Sequence, residues 1–122
     1  VPMIDARRDR VYTGIYEWKG NNLINIMEPC IMYIEDLLDT LQDYENIIIN
    51  GNGVYLHKDR ILNELDGKAK LSPIGSNECR ASSIGELAIK KYNKGIRDNY
   101  YTLVPEYLKE SQAQRDFKKK EG

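Results

Sequence analysis

The stretch that most constrains the fold is Pro2-Met3-Ile4-Asp5-Ala6-Arg7-Arg8-Asp9-Arg10-Val11-Tyr12-Thr13-Gly14-Ile15-Tyr16. A short apolar strand ends on an aspartate, and a charged, tight connection follows. The next strand is apolar on both faces: Val11, Thr13 and Ile15 on one, Tyr12, Gly14, Tyr16 and Trp18 on the other. A strand covered on both faces belongs inside a layered α/β fold. The first strand is expected over residues 2–6 and the second over 10–18. Lys19-Gly20-Asn21-Asn22 has the composition of a turn. A third strand at 23–28 carries Leu23, Ile24, Ile26 and Met27, and the short connections make the three an antiparallel meander. Pro29 is expected to end it, because proline donates no ladder hydrogen bond.

Helical periodicity begins next. Ile34, Leu37, Leu38 and Leu41 fall at i, i+3, i+4 and i+7, which predicts a helix over residues 33–44 with one buried stripe. Glu35, Asp36, Asp39 and Asp43 lie off that stripe and read as a solvated face. Ile47-Ile48-Ile49 reads as a fully buried, parallel strand, with Ile48 central and covered on both sides. Asn50-Gly51-Asn52-Gly53 breaks it. A helix at 54–65 presents Leu62 and Leu65, with Gly67 at its end. Lys68 to Leu71 occupies the place of a last parallel strand, and 72–82 form a loop. Ser83 and Glu86 have the spacing of a capping box before a helix at 84–94, with stripe Ile84, Leu87, Ala88 and Tyr92 and Gly95 as C′ residue. Tyr100 to Leu108 reads as an apolar segment, extended up to Pro105, and Glu110 to Gly122 as a polar tail. The expected order is βββαβαβα, the order of an RNase H-like domain and of the lobes of actin-like ATPases.

At 122 residues the chain is the size of one ordinary domain and needs no disulfide or metal to fold. Its 18 basic and 19 acidic residues leave a formal charge of −1, which calls for neither nucleic acid nor a membrane surface as direct partner. Cys30 and Cys79 are far apart and lack ligand spacing, as expected of reduced thiols in a cytosolic protein. The chain opens on Val1-Pro2 and runs straight into a strand, the expectation for a piece of a longer protein.

The candidate chemistry is sparse. A two-metal nuclease needs converging carboxylates. Asp5 is placed for one and Glu35 could be a second, but the fourth strand ends on Asn50, a weaker neutral ligand. Gly51-Asn52-Gly53 could cradle a phosphate on backbone N–H groups, although a plain strand-to-helix turn needs the same glycines. His57 has no Cys or Ser partner at a recognisable spacing and reads as a surface or half-buried helix residue. The nine tyrosines read as core and rim packing, and Lys118 to Lys120 as solvated tail. No residue is nominated as catalytic, as a metal ligand, or as a firm cofactor contact. Asp5, Arg7 and Arg8 are candidate interface residues, with Gly51, Asn52 and Gly53 beside them.

The residues Pro2 to Arg8, Val11-Tyr12 and Tyr16 resemble the middle of the bacterial TsaB (YeaZ) family. Leu103-Val104-Pro105-Glu106-Tyr107-Leu108-Lys109-Glu110-Ser111-Gln112-Ala113 is similar to that family's closing segment. Gly51-Asn52-Gly53 and the helix from Ser83 to Tyr92 fall at corresponding places. The resemblance implies a glycoprotease-like protein of peptidase family M22 within the actin-like ATPase superfamily. It implies the noncatalytic partner of TsaD, with TsaE as third member, in making threonylcarbamoyladenosine next to the tRNA anticodon. It further implies that residues 1–108 are the C-terminal lobe, that 109–122 are a tail, and that the N-terminal lobe, which holds most of the TsaD contact, is absent. The surface left open would face that lobe, or a second copy in a concentration-dependent homodimer. The alternatives are a peptidase or nucleotide hydrolase of the same superfamily and a stand-alone interaction domain.

Overall fold

The computed structural model describes residues 1–108. The expected tail and the end of the closing segment, from Lys109 onward, lie outside them. Two compact units are present, Val1–Cys79 and one beginning at Arg80.

In the first unit, β1 (Met3–Asp5), β2 (Arg10–Lys19) and β3 (Asn22–Tyr33) form an antiparallel sheet in the order β1-β2-β3. Helix α1 (Ile34–Leu41), β4 (Ile47–Ile49), α2 (Gly53–Glu64) and β5 (Ala69–Leu71) follow, and β4 pairs β5 in parallel. A parallel bridge between Pro2 and Asn50 joins the two sheets, through Met3 N donating to Asn50 O at 2.7 Å and Asn50 N to Val1 O at 3.1 Å. The fold is thus α/β, with three antiparallel strands followed by helices and a parallel pair.

The α1 stripe is as expected: Ile34, Leu37, Leu38 and Leu41 are all buried. They meet Met3, Val11 and Ile15 from the first sheet, Ile47 and Ile49 from β4, and Val54, Ile61 and Leu65 around α2. On β2, Val11, Thr13 and Ile15 are buried and Tyr12 and Tyr16 half-buried, whereas Trp18 near the hairpin tip is exposed.

Several expectations need correction here. Pro29 does not end β3, which runs on to Tyr33. Thr13 pairs Cys30 and Ile15 pairs Met27, so Glu28 and Pro29 together oppose Gly14. This is a bulge, where a missing ladder donor costs little. Ile48 is not covered on both sides. It is 63% exposed between buried Ile47 and Ile49, because β4 packs one face on the core. On α2 the buried positions are Val54 and Ile61, with Leu65 just past the helix end, while Leu62 is 41% exposed. Ile61 and Leu65 are four apart and share a face; Leu62 is turned roughly 100° away from Ile61.

A further correction concerns the second unit. Helix α3 spans Ala81–Asn93 with Arg80 as N-cap and no side-chain cap. Ser83 lies inside the first turn, its N–H donating to Arg80 O at 3.1 Å, and Glu86 pairs forward with Lys90 at 2.6 Å instead of reaching back. The expected stripe of Ile84, Leu87, Ala88 and Tyr92 is exposed. The helix end is as expected. Gly95 sits at φ 80°, its N–H donates to Tyr92 O, and Ile96 N donates to Lys91 O, the two bonds of a Schellman motif. Residues 100–105 are not one extended run. Thr102 N and Leu103 N both donate to Asn99 O, which closes a turn there. Ser83→Ala should therefore leave thermal stability unchanged within error. Gly95→Ala should cost about 1 kcal/mol of helix stability, because it forces a Cβ into the left-handed region. Helicity measured by circular dichroism through a melt separates the two.

Candidate functional site

The candidate residues gather where the β1–β2 connection meets the start of α2. Asp5 closes β1. One of its carboxylate oxygens accepts a hydrogen bond from Arg7 N at 2.8 Å, a local turn of the kind aspartate favours. Asp5 N donates to Asn52 Oδ1 at 3.0 Å, which ties the loop to the β4–α2 turn. The two groups that the sequence places side by side are thus joined by a hydrogen bond.

Arg7, Arg8 and Asp9 take φ values of 63°, 56° and 54°, three successive non-glycine residues in the left-handed region. Each such residue costs about 1–2 kcal/mol. Surrounding bonds hold them there. Ala6 N donates to Arg10 O at 2.9 Å, and Ile34 N donates to Asp9 O at 2.8 Å, so the start of α1 pins the far side of the loop.

An open recess of about 430 Å³ lies against this loop, lined by Asp5, Arg7, Arg8, Asp9, Leu56 and His57. His57 is half-buried, as the sequence suggested, and its Nε2 is buried with no hydrogen-bond partner. Beyond it, Arg60 is bonded to Glu64 at 2.6 Å and lies 3.9 Å from Glu35. The Arg60 guanidinium is held above its ordinary pKa by the hydrogen bond to Glu64 first, then by the charges of Glu64, Glu35 and Asp9. Glu35, the second acid a nuclease would use, is thus in an ion pair with a cation. Among the described residues no three His, Cys, Asp or Glu side chains converge.

The Gly51–Gly53 turn is packed against β1. A Cβ on Gly51, at φ 103°, would overlap the carbonyl oxygen of Met3. A Cβ on Gly53 would lie 2.9 Å from Met3 Cγ and 3.0 Å from Met3 O. Gly51 N donates to Asn77 Oδ1 at 3.1 Å, and the same oxygen accepts from Ser72 Oγ at 2.6 Å. Close approach to β1 therefore accounts for both glycines.

Sequence reasoning missed Asp9, Leu56, His57 as a wall residue, and Asn77. Asp9 could have been found from its place in the charged turn. Asn77 lies 26 residues from Gly51, in a loop without periodicity, and nothing in the sequence pattern pairs them.

No family model matches the chain. A curated relative does: the tRNA threonylcarbamoyladenosine biosynthesis protein TsaB of Bacillus subtilis (strain 168), 28% identical over 114 residues. The likeness is to TsaB. It covers 93% of this chain, so it takes in the Gly51–Gly53 turn and α3 together. The chain spans 48% of the TsaB sequence, about half its length. Among the described residues no helix is long and apolar enough to cross a membrane.

Proposed function

We propose that this chain is the C-terminal lobe of a TsaB-like protein and acts as a noncatalytic partner in the biosynthesis of threonylcarbamoyladenosine in tRNA. The observation that carries the reading is the TsaB likeness over 93% of the chain. In this reading the lobe is RNase H-like. The meander followed by a parallel pair, with β1 bridged to β4 at Pro2 and Asn50, supports that assignment. The β1–β2 loop with Asp5, Arg7 and Arg8 is the face turned to the N-terminal lobe, and TsaD and TsaE are the partners of the whole cytoplasmic protein. A loop that faces another lobe is also free, in the lobe alone, to meet a second copy.

A noncatalytic lobe has a specific expected behaviour. Phosphoryl chemistry needs its charge held from several sides at once. The isolated chain should show no ATP hydrolysis above buffer and no heat of ATP–magnesium binding in a calorimetric titration. Its TsaD binding should be weak or absent, because the resemblance places the main TsaD contact on the other lobe. Micromolar affinity for nucleotide, or ATP turnover by the isolated chain, would contradict the noncatalytic role.

A further inference from the structure

We propose that Asn52 is a site of spontaneous covalent modification, where the folded chain converts asparagine to aspartate and isoaspartate, and that the fold withholds the same reaction from Asn50. Both asparagines precede a glycine, Gly51 after Asn50 and Gly53 after Asn52. In such a pair the backbone N of the glycine attacks the side-chain Cγ of the asparagine. A new N–C bond closes a five-membered succinimide, while the C–N bond of the side-chain amide breaks and releases ammonia. Water, the only co-reactant, then opens the ring at one carbonyl or the other and leaves aspartate or isoaspartate. Glycine favours the attack because it has no Cβ to crowd its nitrogen.

The two pairs are alike in sequence and differ in what holds them. Ring closure requires the asparagine ψ to swing, so the bonds that fix that peptide must open first. At Asn50 three bonds to distant residues stand in the way. Met3 N donates to Asn50 O at 2.7 Å, Asn50 N donates to Val1 O at 3.1 Å, and Gly51 N, the attacking atom, donates to Asn77 Oδ1 at 3.1 Å. The first two make the bridge between the sheets, so closure at Asn50 would part β1 from β4. Asn52 is exposed where α2 begins. Its backbone is held by the first helical turn, with Tyr55 N donating to Asn52 O and Val54 N to Gly51 O, both at 3.2 Å. Helix ends fray at low cost. Gly53 N is one of the donors that a helix start leaves over, and it bonds no backbone acceptor among the described residues. The electrophile is prepared as well. Asp5 N donates to Asn52 Oδ1 at 3.0 Å, and negative charge builds on that oxygen when Cγ is attacked. A donor already aimed at the developing charge stabilises it. Isoaspartate would add a methylene to the backbone just before Gly53, where an extra carbon has little room: a Cβ on Gly53 would lie 2.9 Å from Met3 Cγ. The modification thus loosens the tie between the β1–β2 loop and the β4–α2 turn.

The test incubates the full chain at mildly alkaline pH, folded in one arm and in denaturant in the other. Peptide mapping by mass spectrometry follows each asparagine, and enzymatic methylation of isoaspartate counts that product. In the folded arm Asn52 should react about tenfold or more faster than Asn50, a difference in barrier of about 1.4 kcal/mol or more. In denaturant the two rates should become similar, because both are Asn-Gly pairs and the bonds that separate them are gone. Circular dichroism of the folded arm confirms that it stays folded through the incubation. Equal rates in the folded arm, a faster reaction at Asn50, or no reaction at Asn52 over a time in which the denatured chain reacts at both would each overturn the proposal.

Discussion

Gly51→Ala is expected to lower the stability of the chain by about 3 kcal/mol or more, enough to unfold a marginal domain at moderate temperature. Two costs combine. The backbone at φ 103° is one that side-chain-bearing residues rarely adopt, which alone costs about 1–3 kcal/mol. The added Cβ would also overlap the Met3 carbonyl oxygen and lie 2.9 Å from Met3 C, both backbone atoms that move only if β1 moves. Met3 N is bonded to Asn50 O at 2.7 Å, so displacing β1 also breaks the bridge between the two sheets. Gly67→Ala is the control. Gly67 has φ 72° but nothing within 4 Å of an added Cβ, so it carries the conformational cost without the clash. Its expected loss is about 1 kcal/mol. The denaturant midpoint of Gly51→Ala should lie well below that of Gly67→Ala, and equal midpoints would remove the close β1 contact from the account.

The second large effect is on β4. Ile49→Asp should cost about 4 kcal/mol or more, because Ile49 is fully buried and an aspartate there has no partner. Ile48→Asp, one residue away, should cost about 1 kcal/mol or less, since Ile48 is 63% exposed and loses mainly strand propensity. Thermal melts of the two variants test the alternation directly. A large loss at Ile48 would mean that a second layer covers that face of β4.

This pair also shows what was legible. Three consecutive isoleucines look the same whether one face or both are covered, so sequence alone suggested a fully buried strand. The α1 stripe was legible because eight residues leave one way to place Ile34, Leu37, Leu38 and Leu41 on a common face. Helix α2 has few apolar residues, and the choice between Ile61 and Leu62 depends on where β1 and β5 lie. Pro29 was misread because the bulge opposite Gly14 belongs to the pairing, not to β3 itself. Ser83 and Glu86 kept capping-box spacing although the helix starts two residues before Ser83, since Glu86 finds Lys90 one turn on. At the candidate site, Asp5, Arg7 and Arg8 were legible as a charged turn and through the family resemblance. Their left-handed backbone was not, because Arg7-Arg8-Asp9 contains neither glycine nor asparagine to announce it. His57 and Leu56 join the recess only through the docking of α2 beside β1 and the loop.

The central claim is the role in tRNA modification. The direct measurement is the threonylcarbamoyladenosine content of tRNA, by mass spectrometry of its nucleosides, in source cells depleted of the gene that encodes this chain. The account predicts that the nucleoside falls on depletion and returns when Bacillus subtilis TsaB is supplied. An unchanged level after depletion would contradict it.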